Sequence, residues 1–194
     1  MLGTSVAVSE AEVRWRDFLM SLKKRGMHGI KLVVSDNHEG LKNALKSVLP
    51  GIPWQRCQFH LQRNAKDYVP KMAMREAVAA NIRNIFNAPD KEEAERLLGK
   101  AVEKYRKTAT KLSVWMEENI PEGFAVFDMP TKHRRRLRTS NMIERLNREI
   151  RRRTRVSSLF PNEEALLCLV SAILMEVSEE WEAADKAYLI IEAE

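Results

Sequence analysis

The first thirty residues combine a strand-like run with a helix-like pattern of apolar positions. Residues 2–8, LGTSVAV, are mostly small or β-branched and predict a strand. Ser9 and Glu12 have the spacing of a capping box, which predicts that a helix begins there. Apolar side chains at i, i+3, i+4 and i+7 support this helix, namely Trp15, Phe18, Leu19 and Leu22.

The next stretch repeats the alternation with shorter elements. Residues 30–36, IKLVVSD, are mostly apolar without alternation, which is typical of a strand buried on both faces. A helix is predicted over 39–48, where Pro50 and Gly51 stop it, and WQRCQFH at 54–60 predicts a short strand that leads into another helix. This alternation of strands and helices predicts an α/β fold.

The hydrophobic period changes at Pro70. Apolar residues at helical spacing predict three successive helices from there, and Asp90 with Glu93 caps the second. Pro161 and Asn162 predict the start of a C-terminal helix. Residues 1–69 are predicted to form part of an α/β core, and residues 70–123 an all-helical insertion. Residues 124–194 are predicted to return to the core and to include the C-terminal helices.

Composition restricts the class of protein. Of the 194 residues, 44% are hydrophobic and 31% are charged, which is typical of a folded globular chain. No apolar run approaches the roughly 18 residues of a membrane span, and the N-terminus does not have the pattern of a signal peptide. The two cysteines give no disulfide framework and suit a reducing cytoplasm. We expect a cytoplasmic protein without a membrane partner.

Positive charge is concentrated in one segment. The formal net charge is +6, yet Lys132–Arg155 alone contains eleven Lys and Arg against two Glu, so the rest of the chain is slightly acidic. Such a block predicts either a polyanion partner, most often nucleic acid, or a solvated charged face. The candidate DNA-binding residues are Arg134, Arg135, Arg136, Arg138, Arg145, Arg148, Arg151, Arg152, Arg153 and Arg155.

Asp36 stands at the end of the predicted buried strand. In open α/β sheets ligands bind outside the carboxyl ends of strands, and a carboxylate there suits a hard cation such as Mg²⁺. Asp36 and Glu39 also have the spacing of a helix cap, which is the simpler interpretation of this stretch alone.

Glu144 lies in the first turn of a predicted helix that is otherwise rich in arginine. Ile143, Leu146 and Ile150 form its apolar stripe; Glu144 and Asn147 lie on the flank of that stripe. Two interpretations of Glu144 are open. Its carboxylate either interacts favourably with the positive N-terminal end of the helix dipole and pairs with Arg148, or it binds a metal ion beside bound phosphate.

Cys57 and His60 form an isolated C-x-x-H pair. Zinc needs two further ligands, and no other cysteine or histidine has metal-ligand spacing to them. A structural role at the sheet edge is the simpler interpretation.

Four stretches in combination strongly resemble the Mutator-type transposases of bacterial insertion sequences, a DDE-class family. They are LVVSDNHEGLKNAL, WQRCQFHLQRN, PEGFAVFDMP and TSNMIERLNREIRRRTRV with FPNEEA. The resemblance implies a ribonuclease H-like catalytic domain with a helical insertion before its last acid. It implies that Asp36 is the second acid and Glu144 the last, both catalytic and both ligands of Mg²⁺, or of Mn²⁺ instead. The resemblance also implies that Cys57, His60 and Asn147 are supporting residues. Cys57 and His60 would be the C-x-x-H signature of the family.

The same resemblance implies double-stranded DNA as the partner, at element ends and target, bound mainly through its phosphates. It also implies a homo-oligomer when complete, located at the bacterial nucleoid. The family's first Asp and its N-terminal DNA-binding region would precede LGTSVAVSEAE, so we expect an N-terminally incomplete ribonuclease H-like domain. Two functions compete. One is a transposase fragment that catalyses DNA cleavage and strand transfer when complete, and does not cut DNA alone. The other is an inactive remnant that only binds DNA or transposase.

Overall fold

The structure is a computed structural model, and it describes residues 1–7, 9, 11–157 and 159–183. The described part is mainly helical. Its α-helices are α1 Glu12–Lys24, α2 Glu39–Val48, α3 Gln58–Ala65, α4 Arg75–Phe86, α5 Lys91–Arg106, α6 Thr110–Asn119, α7 Thr131–Leu137, α8 Asn141–Thr154 and α9 Glu163–Glu182. Short 3-10 helices occupy Lys66–Tyr68, Met72–Met74, Ile120–Gly123, Ala125–Asp128 and Arg155–Ser157.

Two strands, β1 Val33–Ser35 and β2 Trp54–Arg56, pair in parallel. Val33 lies opposite Trp54 and Ser35 opposite Arg56, so both strands end at the same edge. The second and third predicted strands are therefore confirmed in shortened form. A two-stranded sheet does not by itself establish a ribonuclease H-like fold, which stays a prediction.

The predicted N-terminal strand is wrong for residues 2–7, which form no strand; Val8 lies outside the described residues. This segment packs against a helix instead. A Cβ placed on Gly3 would lie 3.0 Å from Arg25 Nη1 and 3.1 Å from Leu22 Cδ2. Because a strand needs a partner to pair its backbone groups, small and β-branched composition was not sufficient to form one here.

The chain divides into two compact units, each assembled from separated segments. Unit 1 comprises residues 1–30, 38–51 and 141–194, and unit 2 comprises residues 31–37 and 52–140.

Unit 2 is organised around the helices that follow Pro70, and the predicted helical periodicity there is confirmed. Asp90 caps α5 by accepting a hydrogen bond from the backbone N–H of Glu93 at 2.8 Å. The apolar faces of α3 to α6 form one buried core, whose fully enclosed side chains include Leu61, Val78, Ile82, Ile85, Leu112, Met116 and Ile120. Whether this segment is an insertion within a larger α/β core stays a prediction.

A buried glutamine fixes β2 against this core. Gln55 is fully enclosed, and its amide donates to the backbone oxygen of Gly123 at 2.9 Å and accepts from the N–H of Val126 at 2.9 Å. Gln58 donates to the same Gly123 oxygen at 2.8 Å. Since a buried polar group is costly unless it is hydrogen-bonded, these contacts define where the strand end lies.

In unit 1, α1 and α2 bury Leu19, Leu22, Ala44, Leu45 and Val48. The predicted capping box at Ser9 and Glu12 is wrong, because Ala11 precedes the helix and makes no side-chain cap. Asn162 does cap α9, as predicted, by accepting from the N–H of Ala165 at 2.8 Å. Among the described residues, no helix is long and apolar enough to cross a membrane.

Candidate functional site

Asp36 follows β1 directly and its side chain is 61% exposed. The interpretation of Asp36 as a helix cap is wrong, because His38 precedes α2 and its ring nitrogen accepts from the N–H of Leu41 at 3.3 Å. Asp36 is thus an exposed carboxylate at the carboxyl end of a strand, as the cation-binding interpretation requires.

Asp36 belongs to a cluster of three potential metal ligands in unit 2. The other two are Cys57 and His60, and the ligand atoms of all three lie within 4.8 Å of one another. The Asp36 carboxylate contacts the Nδ1 of His60, whose side chain is 12% exposed. The sequence had presented Cys57 and His60 as an isolated pair, so it missed Asp36 as the third member.

The backbone explains why these residues meet. The N–H of Cys57 donates to the backbone oxygen of Ser35 at 2.8 Å, which continues the β1–β2 pairing by one residue. Asp36 and Cys57 are therefore the first residues beyond two adjacent parallel strands. His60 is three residues further on, in the first turn of α3, where i and i+3 side chains share a face.

The sulfur of Cys57 is fully buried and accepts two hydrogen bonds. Both come from Ser140, one from its backbone N–H and one from its hydroxyl, each at 3.4 Å. The segment around Ser140 is held in place by a backbone contact, since the N–H of Gln58 donates to the oxygen of Arg138 at 2.9 Å.

Glu144 lies in the first turn of α8 and is half-buried. An apolar stripe at helical spacing predicts a buried face, and that prediction is wrong here: Ile143 is 56% exposed, and Leu146 and Ile150 are only half-buried. Asn147 is exposed. Glu144 belongs to unit 1 and Asp36 to unit 2, and their convergence on a common cation stays a prediction.

Two of the α8 arginines form ion pairs with carboxylates. Arg152 donates two hydrogen bonds to Glu149, at 3.0 and 2.6 Å, and Arg153 donates to Glu149 at 2.8 Å and also to Glu176 of α9. The hydrogen bonds from Arg152 and Arg153 lower the pKa of Glu149 to about 2. The Arg153–Glu176 pair connects α8 to α9 within unit 1, and the pairs with Glu149 lie within α8, so both arginines have a structural role.

The other arginines of this region have different surroundings. Four are exposed and make no side-chain hydrogen bond or ion pair within the described ranges, namely Arg145, Arg148, Arg151 and Arg155. The proposed pairing of Glu144 with Arg148 is therefore not formed. An exposed guanidinium keeps its five N–H donors available for an anion.

Two arginines, Arg134 in α7 and Arg138 just after it, donate hydrogen bonds to backbone oxygens of the protein. Arg134 donates to the backbone oxygens of Met129 and Pro89, each at 2.8 Å. Arg138 donates to the oxygen of Phe86 at 2.9 Å, and burial lowers the pKa of its guanidinium, with Arg135 contributing. Arg134, Arg135 and Arg138 line an open groove of about 270 Å³ in unit 2. Arg136 is exposed.

Comparison with known proteins defines the class. The model of the family described as "Transposase, Mutator family" matches residues 1–184, and the chain belongs to that family. It is 54% identical over 189 residues to the transposase for insertion sequence element IS406 of Burkholderia multivorans, covering 97% of this chain and 48% of the relative. It is 39% identical over 186 residues to the transposase for ISRM5 of Rhizobium meliloti, covering 96% and 46%.

A third relative is more distant. The transposase for IS256 in transposon Tn4001 of Staphylococcus aureus is 33% identical over 198 residues, covering 97% of this chain and 48% of the relative. The chain thus spans about half the length of the curated relatives it matches.

Proposed function

We propose that this chain is part of a DDE-type transposase that cuts and joins DNA strands at the ends of an insertion sequence. In the complete protein, Asp36 and Glu144 would be two of the catalytic carboxylates. They would bind Mg²⁺, or Mn²⁺ in its place, and the complete protein would work as a homo-oligomer on double-stranded DNA in the bacterial cytoplasm. Membership of a transposase family is the observation that carries this proposal.

The placement of Asp36 supports its part in the proposal. Its carboxylate is exposed at the end of a strand, and carboxylate oxygens are ligands that Mg²⁺ prefers. Glu144 is the same kind of donor, half-buried near the start of α8. When bound, the metal ions would stabilise the charge on the phosphate and activate the attacking oxygen. The protein's own contribution is to hold these two carboxylates in position.

The α8 surface supports the DNA-binding part of the proposal. Arg145, Arg148 and Arg151 are spaced three residues apart, so they lie along the same side of the helix and are exposed. Three guanidinium groups in a row suit the phosphates of a duplex rather than one small anion. Arg152 and Arg153 stay with Glu149 and fix the helix.

A second candidate is a module that binds DNA or a complete transposase without catalysis. The exposed arginines favour it equally, because phosphate binding requires no carboxylate. Cleavage and strand transfer on element-end DNA, assayed in the complete protein with Asp36→Asn and Glu144→Gln, separate the two candidates. Loss of activity in both variants with retained DNA binding supports catalysis. Activity that survives both substitutions contradicts it.

Binding itself is tested on the 194-residue chain with a labelled duplex at increasing salt. We expect log affinity to fall linearly with log salt, with a slope of about −0.9 for each phosphate contact. Absence of binding at low salt would contradict both candidates as far as DNA is concerned.

A further inference from the structure

The donor atoms around Asp36 do not match a hard cation alone. Mg²⁺ takes oxygen ligands, whereas Cys57 and His60 present sulfur and imidazole nitrogen beside the carboxylate. We propose that Asp36, Cys57 and His60 form a second metal-binding site, which shares Asp36 with the proposed Mg²⁺ site and binds a thiophilic divalent cation, Zn²⁺ being the best match. Zinc accepts S, N and O ligands in one tetrahedral shell.

The distances in the cluster suit such a site. With Zn–S of about 2.3 Å and Zn–N or Zn–O of about 2.0–2.2 Å, the ligand atoms of a tetrahedral site lie about 3–4 Å apart. The ligand atoms of the three residues already lie within 4.8 Å of one another, so only small side-chain rotations are needed. The parallel pairing of β1 with β2 and the first turn of α3 fix the three Cα positions in advance.

Ser140 provides the outer shell of this site. Its N–H and hydroxyl both donate to the sulfur of Cys57, which orients a side chain that is otherwise completely enclosed. Metal ligands are commonly oriented by such outer-shell hydrogen bonds, and their loss typically lowers metal affinity by about 10–100-fold. A purely apolar role for Cys57 would not require two donors directed at its sulfur.

The exposure of the ligands indicates what kind of zinc site this is. Cys57 is buried and His60 nearly so, but Asp36 is 61% exposed. Three protein ligands with one open side leave a fourth position for water or another ligand, as in zinc sites that are not purely structural. Zinc bound there would engage Asp36 and reduce Mg²⁺-dependent activity, a consequence that rests on the proposed function.

Cobalt substitution tests the site without DNA or catalysis. The 194-residue chain is prepared as Cys168→Ser, so that Cys57 carries the only thiol. It is titrated with Co²⁺ and then with Zn²⁺. We expect one Co²⁺ per chain, a near-ultraviolet thiolate-to-cobalt charge-transfer band, and visible bands of four-coordinate intensity. Stoichiometric Zn²⁺ should abolish these bands.

Single substitutions assign each ligand in that background. Cys57→Ser should remove the charge-transfer band, and Asp36→Asn and His60→Asn should each lower Co²⁺ affinity at least about tenfold. Ser140→Ala should lower the affinity by about 10–100-fold and keep the band, because it removes only an outer-shell donor. Asp67→Asn is the matched control for Asp36 and should change nothing. Circular dichroism confirms that each variant is folded.

Three results would overturn the site. They are the absence of a charge-transfer band in the folded parent chain, a band that survives Cys57→Ser, and Co²⁺ affinity that is unchanged in Asp36→Asn. None of these bears on DNA binding or on Mg²⁺-dependent cleavage, so failure of the zinc site leaves the proposed function intact. Conversely, loss of cleavage activity would leave the cobalt result unaffected.

Discussion

The backbone of Gly123 lies against the ring of Phe86 so closely that a Cβ at position 123 would come within 2.8 Å of Phe86 Cε1. The same Cβ would lie 3.0 Å from Leu61 Cδ1. The oxygen of Gly123 also accepts hydrogen bonds from Gln55 and Gln58. This residue therefore joins the end of β2 to the helical core of unit 2, and it leaves no space for a side chain.

We expect Gly123→Ala to lower the free energy of unfolding by about 1–3 kcal/mol, because an added methyl group overpacks the core. Gly99→Ala is the matched control. Gly99 lies inside α5 with no atom within 4 Å of the added Cβ, so alanine should raise the free energy of unfolding by about 0.5–1 kcal/mol. Chemical denaturation measures both, and a neutral Gly123→Ala would contradict the close packing.

The pairing of Glu149 with Arg152 and Arg153 predicts a loss of stability in acid. The folded pKa of about 2 lies below the ordinary value of 4.5, so folding favours the ionised carboxylate. The stabilisation is complete above pH 4.5 and is lost as the pH falls from there through 2. Thermal melts across this range should show a smaller acid-induced decrease for Glu149→Gln than for the parent. Glu180→Gln, an exposed acid of α9, should melt like the parent at every pH.

The exposed side of α8 predicts a sequence-independent contribution to DNA affinity. Replacing Arg145, Arg148 and Arg151 together by alanine should weaken binding to any duplex. It should also reduce the slope of log affinity against log salt by about 2–3, since each phosphate contact contributes about 0.9. Arg152 is left unchanged in this triple variant because it pairs with Glu149.

The control removes equal charge elsewhere, from exposed positions of unit 2, as Arg75→Ala, Arg83→Ala and Lys107→Ala combined. Anisotropy titrations at several salt concentrations compare the two triple variants. Equal slopes for both would show that net charge, and not the α8 surface, determines binding.

If Asp36 and Glu144 bind a common cation, their contributions to Mn²⁺ affinity should be coupled. Asp36→Asn and Glu144→Gln should each lower the affinity at least about tenfold, since even outer-shell losses cost about 10–100-fold. The double variant should be little weaker than either single one. Calorimetric titration measures this cycle, and Glu118→Gln serves as the control. Additive effects would mean that the two acids bind separate ions.

The 194-residue chain by itself should not cut DNA. Within it the family resemblance assigns two catalytic carboxylates, and two are too few to hold a matched pair of Mg²⁺ ions in octahedral geometry. Loss of one member of a cooperating catalytic set lowers rates by several orders of magnitude. The assay is strand cleavage on element-end DNA with Mg²⁺ or Mn²⁺. Cleavage by the parent chain that Asp36→Ala and Glu144→Ala both abolish would refute the prediction.

Local features of this fold could be predicted from the sequence. The caps at Asp90 and Asn162 follow from one side chain and the N–H three residues later, within a single turn. Gly51, which was predicted to stop α2, has a positive φ of 79°, and Gly26 after α1 has a positive φ of 95°. Each of these signals depends on a few neighbouring residues, although the cap spacings at Ser9 with Glu12 and at Asp36 with Glu39 formed no cap.

Non-local features could not be predicted in the same way. Residues 2–7 have strand composition but pack on α1, and the stripe containing Ile143 has helical spacing without burial. Burial and pairing depend on which distant segment is available. Asp36 and Cys57 directly follow β1 and β2, and parallel strands align such positions at one edge. The predicted strands were too long to show this, because Cys57 lay inside the second.

The path of the chain between its units has a consequence for biosynthesis. The polypeptide passes from one unit to the other after residues 30, 37, 51 and 140, so neither unit is a continuous stretch. A ribosome completes the last segment of unit 2 before it makes α8 and α9, which belong to unit 1. All segments of unit 2 are therefore synthesised before unit 1 is complete, and termination shortly after residue 140 would leave unit 1 without α8 and α9.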